Sequence, residues 1–168
     1  MYISLMRNFD AANGPGIRTT LFVSGCTHNC PECFNAEAQN FKNGQMWNNR
    51  LKHTFIDMAK NNVVTGITIL GGEPFQQDKE LLDLVKSLKE EVNKSIWIYS
   101  GYTFEEILLL PEVHRNLLYY VDVLVDGKFI VQEKDLLLRF KGSSNQRVID
   151  VKKSLLENKA VIIPEYNR

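Results

Sequence analysis

Short apolar runs alternate along the chain with longer amphipathic segments, and the two patterns predict different elements. Runs rich in β-branched and aromatic residues, with turn residues beside them, predict strands. The predicted strands cover residues 18–24, 66–70, 95–99 and 121–125, with a final pair at 147–151 and 160–163. The first of them follows a turn with the sequence Asn-Gly-Pro-Gly.

Three amphipathic segments predict helices between these strands. Residues 50–60 and 77–92 each carry apolar side chains at three- and four-residue spacing, with charged side chains opposite. Thr103 and Glu106 form a capping box that begins a third helix, which Pro111 bends or ends. Strands and helices therefore alternate, as they do in α/β proteins with a parallel sheet.

The length of 168 residues limits the α/β architecture. It predicts one domain, residues 1–168, with five or six βα units of about 30 residues, whereas a closed eightfold barrel needs about 250 residues. We therefore expect a partial, laterally open (β/α) barrel. Ligand sites in such sheets lie at the carboxyl ends of the strands, and Cys26, Gly71, Ser100 and Asp126 each follow a predicted strand. The sequence therefore predicts that these residues share one edge.

Charge and hydropathy exclude some classes of partner. Twenty basic residues balance twenty acidic ones, 44% of the residues are hydrophobic, and no part of the chain is strongly polyionic. This balance predicts no nucleic-acid partner. The longest apolar run, residues 117–121, is far shorter than the roughly 20 residues that cross a bilayer. Because the first residues also lack the apolar core of a signal peptide, we expect a cytoplasmic protein with no membrane partner.

All three cysteines, Cys26, Cys30 and Cys33, lie within eight residues of one polar segment. An odd and clustered set argues against a disulfide framework and favours a metal site. Iron–sulfur clusters usually take four cysteines, so a 4Fe-4S cluster here would keep one iron open to another ligand. Zinc is the alternative, since His28 would complete a Cys3His set. Spacing alone leaves both metals open and favours the cluster.

Five ordered segments carry a resemblance to a known family. The motif CTHNCPEC at residues 26–33, followed by GGEP at residues 71–74, resembles the radical S-adenosylmethionine superfamily. More narrowly, the chain is similar to the activating proteins of anaerobic ribonucleoside-triphosphate reductase, which are glycyl-radical-enzyme activases. The matching segments are residues 13–26, 71–74, 100–102, 124–129 and 142–146.

This resemblance implies a partial barrel of the radical S-adenosylmethionine type, with a 4Fe-4S cluster held by Cys26, Cys30 and Cys33. The open iron would bind S-adenosylmethionine, and one electron would cleave it to methionine and a 5′-deoxyadenosyl radical. That radical would take a hydrogen atom from a glycine in the large subunit of the reductase. The resemblance also implies an electron donor such as flavodoxin, and no catalytic side chain is expected because the cofactors carry the chemistry.

The resemblance implies that residues at the strand ends bind S-adenosylmethionine. Gly71 and Gly72 would let the backbone approach the ligand, and Glu73 would accept a hydrogen bond from its ammonium group. Asp126 would accept a hydrogen bond from the ribose, and Lys128 would bind the methionine carboxylate. We expect these five residues to surround one ligand.

Further contacts are expected from Ser100, whose hydroxyl would face the same ligand, and from the loop around the third cysteine. Loop backbone near Glu32 and Phe34 would touch the sulfonium or the adenine, although some relatives carry an aromatic residue where this chain has Glu32. Residues 145–147 would contact adenosine or the partner. Residues 128–153 hold seven basic and three acidic residues, which would suit an acidic face of the partner.

Two other functions stay open at the level of the sequence. A radical S-adenosylmethionine enzyme of the deazaguanine-synthase type would convert a small molecule without any partner protein. A zinc-binding module would use His28 as a ligand and would be colourless and stable in air. The matches at residues 124–129 and 142–146 favour the activase over the small-molecule enzyme.

Overall fold

Seven strands form one mixed sheet in the computed structural model, which describes residues 1–168. The strands are β1 (Tyr2–Asp10), β2 (Arg18–Ser24), β3 (Gln45–Met46), β4 (Gly66–Gly71), β5 (Ser95–Tyr99), β6 (Val123–Asp126) and β7 (Arg147–Asp150). Their order across the sheet is β3-β1-β2-β4-β5-β6-β7. Strands β2, β4, β5 and β6 are parallel, whereas β1 and β3 at one edge and β7 at the other pair antiparallel. The four parallel strands therefore end at the same edge of the sheet.

Five helices connect or follow the strands. They are α1 (Asn49–Lys60), α2 (Lys79–Glu91), α3 (Phe104–Ile107), α4 (Glu112–Arg115) and α5 (Val151–Glu157). Asn48 caps α1, and Thr103 and Glu106 form the predicted capping box at the start of α3. Pro111 precedes α4 and separates it from α3. None of these helices combines the length and the apolar character needed to span a bilayer.

One face of the sheet packs against the helices and forms the main hydrophobic core. Alternate strand residues such as Ile67 and Ile69 lie on this face and are fully buried. The apolar stripes of α1 and α2 cover them, with Phe55 and Leu84 fully buried. Because side chains alternate along a strand, the other residues of the same strands lie on the opposite face, where the structure has a cavity.

Arg18 joins the amino-terminal ends of three parallel strands. Its buried guanidinium group donates to the Ile67 carbonyl at 2.7 Å, to the Ser95 carbonyl at 3.2 Å and to the Thr68 hydroxyl at 2.6 Å. Burial lowers the pKa of Arg18 to about 10, so the side chain stays charged at neutral pH. These bonds stabilise β2, β4 and β5 at the edge opposite to the predicted site.

The α/β class and most predicted elements are confirmed, whereas β1, β3 and α5 are not among the predicted elements. Strand β1 is absent from the predicted elements because irregular pairing at residues 3–5 and 7–10 interrupts its alternation. The predicted strand at 160–163 is wrong, since only Ile162 makes a single bridge, to Ile149 of β7. The count of five or six βα units is too high, because three crossovers join four parallel strands and β7 returns antiparallel. The lateral opening of a partial barrel stays a prediction.

Candidate functional site

The cysteine loop, residues 25–35, begins at the end of β2 and is fixed there on two sides. The Gly25 amide donates to the Ala38 carbonyl at 2.7 Å. On the other side, the Glu73 amide donates to the Gly25 carbonyl at 2.8 Å. These bonds hold Cys26 beside the end of β4, at the carboxyl edge that the sequence predicts.

Cys26, Cys30 and Cys33 line one cavity of about 500 Å³, a size within the common range for ligand sites, about 300–1,000 Å³. None of the three thiols is in a disulfide. Burial raises the pKa of the Cys26 thiol to about 11 and also raises the pKa of Cys30. Three free thiols on the wall of a cavity with room for another ligand suit an iron–sulfur cluster with an open coordination position.

Glu73 lies at the centre of the site and is only 1% exposed. Its Oε1 accepts hydrogen bonds from the Phe75 amide and the Ser100 hydroxyl, both at 2.9 Å. Its Oε2 accepts from the Gly101 amide at 2.8 Å and from His28 Nε2 at 2.9 Å. These four donors occupy the acceptor positions of the carboxylate. The predicted bond from a ligand ammonium group therefore finds no unused acceptor on Glu73 in this structure.

Gly71 and Gly72 serve the packing of β4 against the end of β2. A Cβ on Gly71 would lie 2.5 Å from the Val23 carbonyl oxygen, and the φ angle of +112° also favours glycine there. A Cβ on Gly72 would lie 2.5 Å from the Gly25 carbonyl oxygen. Both glycines line the cavity. The structure therefore gives both glycines a packing role, and their close approach to a ligand stays a prediction.

A second group of contacts ties the cysteine loop to the residues that follow β4 and β5. The Gln76 side chain accepts from the Thr27 amide at 2.9 Å and donates to the Thr27 hydroxyl at 2.8 Å and the Tyr102 hydroxyl at 2.9 Å. The His28 ring packs edge-on against Tyr102, with 4.4 Å between the ring centroids. Protein contacts therefore position Thr27 and His28 within the cysteine loop.

Asp126 and Lys128 do not line the main cavity. Asp126 is buried, and its carboxylate accepts from the Phe104 amide at 2.7 Å and from Arg147 Nε at 2.9 Å. Both carboxylate oxygens therefore already accept hydrogen bonds within the protein, and the bond from a ribose to Asp126 stays a prediction. Lys128 is exposed and lines a neighbouring cavity of about 340 Å³ beside Cys30. Its predicted contact with a carboxylate therefore lies outside the main cavity in this structure.

Ser100 and Phe34 line the cavity, whereas Glu32 does not. The Ser100 hydroxyl donates to the central carboxylate and accepts from the Tyr102 amide at 3.0 Å, so it is already used within the protein. Phe34 is exposed and packs on Phe129, with 5.1 Å between the ring centroids. Glu32 is exposed and adopts a left-handed backbone conformation. Of these three side chains, Phe34 is the one available to a ligand in the cavity.

Comparisons with known proteins identify the family. A family described as "4Fe-4S single cluster domain" matches residues 12–149. The anaerobic ribonucleoside-triphosphate reductase-activating protein of Haemophilus influenzae is 39% identical over 142 residues, which cover 82% of this chain and 90% of that protein. The chain belongs to this family of activating proteins. The proteins of the same name from Enterobacteria phage T4 and Escherichia coli are 39% and 38% identical over 83% of this chain, covering 87% and 92% of their own lengths.

The match to the 4Fe-4S family favours the cluster over zinc, and the geometry of His28 agrees. Zinc gathers four ligands around a single ion, with Zn–S distances of about 2.3 Å. The structure contains no group of three or more His, Cys, Asp or Glu side chains placed to hold one ion, and His28 contacts Glu73 instead. A 4Fe-4S cluster binds its cysteines through separate iron atoms, so it does not need the ligands to converge on one point.

Several residues that line the cavity of this family member are not among the predicted site residues. Arg7 comes from β1, which is not predicted, and Leu138 and Phe140 come from the irregular segment between β6 and β7. Tyr99 and Phe22 lie in predicted strands. Both residues alternate with buried core residues along their strands, so they lie on the face of the sheet opposite to the core. The two-residue period of a strand could therefore have identified them as cavity residues.

Proposed function

We propose that this chain activates an anaerobic ribonucleoside-triphosphate reductase by generating a glycyl radical on the large subunit of that enzyme. The proposal is carried by one observation, that three free thiols line the same cavity as Gly71, Gly72 and Glu73. The 4Fe-4S family match includes all three cysteines, and the relatives named for reductase activation cover most of the chain.

Cys26, Cys30 and Cys33 would hold a 4Fe-4S cluster, and S-adenosylmethionine would occupy the rest of the cavity. When bound, the cluster would supply one electron that splits S-adenosylmethionine into methionine and a 5′-deoxyadenosyl radical, which takes a hydrogen atom from a glycine of the reductase. The chain contains no fourth cysteine, so the protein leaves one iron free for this ligand. An electron donor such as flavodoxin would reduce the site.

The residues of the chain would bind the ligand and limit the access of water. Phe22, Leu70 and Tyr99 form one wall of the cavity, on the open face of the sheet. Phe34 and Phe129 form another wall beside the cysteines. Apolar walls exclude water and so protect a reactive intermediate from side reactions. No side chain is required to transfer a proton.

The test is anaerobic reconstitution with iron and sulfide, followed by dithionite and S-adenosylmethionine, with 5′-deoxyadenosine as the product measured. The wild-type protein should form 5′-deoxyadenosine, and Cys30→Ala should lose it because one iron ligand is missing. Glu37→Ala is the matched control, since this exposed side chain next to the cysteine loop does not line the cavity. Adding the large reductase subunit should then produce a glycyl radical, seen by electron paramagnetic resonance.

Each alternative function predicts a different result in the same experiment. A colourless protein that holds about one zinc ion and forms no 5′-deoxyadenosine would overturn the proposal in favour of a zinc-binding module. Formation of 5′-deoxyadenosine with no glycyl radical on the reductase would point instead to a small-molecule radical S-adenosylmethionine enzyme.

A further inference from the structure

Residues 128–146, here called the rim loop, make up most of the segment between β6 and β7. Some apolar side chains of this loop line the cavity and others are exposed to solvent. Leu138 and Phe140 line the main cavity. Leu136 and Leu137, which directly precede them, are 84% and 90% exposed. Two adjacent leucines with this exposure, next in sequence to residues that line a cavity, indicate a surface that another molecule covers.

The exposure of the two leucines is imposed by the fold of the rim loop. Lys134 and Ser143 form an antiparallel bridge, and the Asp135 amide donates to the Gly142 carbonyl, so the base of the loop is closed. The Asp135 carboxylate accepts from the Leu137 amide at 2.8 Å and shapes the tip. The backbone therefore presents the leucines outward in a defined conformation.

The rim loop also presents positive charge around the leucines. Lys128, Lys134, Arg139 and Lys141 form no ion pair in the structure, although eleven ion pairs exist elsewhere in the chain. Glu133, one of its two acidic residues, bonds to the Ser144 hydroxyl at 2.8 Å. The unpaired cations favour a partner surface with negative charge.

We propose that the rim loop is the docking surface for the large subunit of the reductase, with Leu136 and Leu137 inserted into an apolar pocket that has an acidic rim. This proposal rests on the proposed function. A glycine can reach the cavity only as part of a polypeptide segment of the partner, and that segment would enter beside the loop whose inner residues line the cavity. The leucines and the unpaired cations stand at that entrance.

The first test compares Leu136→Glu/Leu137→Glu with Leu109→Glu/Leu156→Glu, both as double variants. Leu109 and Leu156 are 86% and 80% exposed and do not line the cavity, so they match the rim leucines in exposure alone. The reconstituted proteins are titrated with the large subunit of the reductase from the same organism. The rim variant should need about tenfold more reductase, or more, for half-maximal glycyl radical. The control variant should match the wild type.

A second pair of variants tests the charge of the rim loop. Lys134→Glu/Arg139→Glu should weaken activation and remove its salt dependence, because charges at the rim of an interface act mainly on association. Lys152→Glu is the control, since Lys152 is exposed, forms no ion pair and lies outside the rim loop. Equal salt dependence in both variants would overturn the electrostatic part of the proposal.

Cleavage of S-adenosylmethionine without reductase distinguishes a failure of the docking surface from a failure of the proposed function. The Leu136→Glu/Leu137→Glu variant should form 5′-deoxyadenosine at the wild-type rate, because neither leucine lines the cavity. Unchanged radical yields at every reductase concentration would overturn the docking surface and leave the proposed function intact, and lost cleavage would show that the leucines support the cavity instead. A wild-type protein that forms no 5′-deoxyadenosine would overturn the proposed function itself.

Discussion

A single buried carboxylate organises the site at the scale of residues. Glu73 is surrounded by donors from three separate segments, and a buried anion without such donors would be costly. His28 is the donor that comes from the cysteine loop, since its Nε2 lies 2.9 Å from Oε2. The Phe75 amide, the Ser100 hydroxyl and the Gly101 amide come from the residues after β4 and β5. The GGEP segment therefore supports the fold of the cysteine loop as well as lining the cavity.

Replacement of His28 by alanine should destabilise the metal-free protein. The change removes one donor from a buried carboxylate, which typically costs about 1–3 kcal/mol. Urea denaturation under reducing conditions measures this loss without any cofactor. His53→Ala is the control, because His53 is exposed on α1 and should change the free energy of unfolding by about 0.5 kcal/mol or less. Equal stability of the two variants would contradict the role given to His28.

At the scale of elements, one cluster of charged side chains fixes the far edge of the sheet. Arg147 at the start of β7 donates to Asp126 at the end of β6 and, at 2.7 Å, to Glu105 in α3. Asp126 also accepts from the Phe104 amide in the first turn of α3. This cluster holds β7 antiparallel to β6. The alternation of strands and helices in the sequence suggests a further parallel βα unit at this position instead.

Replacement of Glu105 by glutamine should destabilise the protein at neutral pH and much less in acid. The hydrogen bond from Arg147 lowers the pKa of Glu105 below its ordinary value. The charged form therefore stabilises the fold above the unfolded pKa of about 4.3, and this contribution disappears as the pH falls through the lower, folded value. Because Glu105 is half exposed, we expect a loss of about 0.5–1 kcal/mol at pH 7.

Urea denaturation of Glu105→Gln between pH 7 and pH 3 checks this dependence. Glu90→Gln is the control, since Glu90 is exposed on α2 and forms no ion pair. A difference between wild type and Glu105→Gln that stays constant over the whole pH range would show that the ion pair contributes nothing and that only packing has changed.

At the scale of the whole molecule, the parallel strands bring distant segments to one edge. Cys26, Glu73 and Ser100 follow β2, β4 and β5, and these strands are direct neighbours in the sheet. Of the residues predicted to share this edge, Cys26, Gly71 and Ser100 line one cavity, whereas Asp126 ends β6 at the same edge without lining that cavity. Helices cover one face of the sheet only, so the cavity on the other face is bounded by the cysteine loop and the rim loop.

Loading the cluster should stabilise the whole fold, because a ligand that binds only the folded state adds its binding free energy to the stability. A site filled at 100 times its dissociation constant adds about 2.7 kcal/mol. Anaerobic urea denaturation before and after reconstitution, and again after removal of iron by a chelator, measures this gain and its reversal. Cys30→Ala should show no gain. A wild-type protein that holds a cluster without any gain in stability would contradict a site that exists only in the folded chain.

The sequence by itself determined most elements and indicated a metal site, because both depend on local information. The spacing of apolar residues placed the parallel strands and the two long helices, and three cysteines within eight residues indicated a metal site. Tertiary structure alone decided the partners of the polar residues. Glu73 meets Ser100 across 27 positions and Asp126 meets Arg147 across 21, and no periodic pattern links residues so far apart. The same reason explains why the sequence did not predict β1. Its bulges interrupt the alternation of apolar and polar residues, and β1 forms a strand through its pairing with β2.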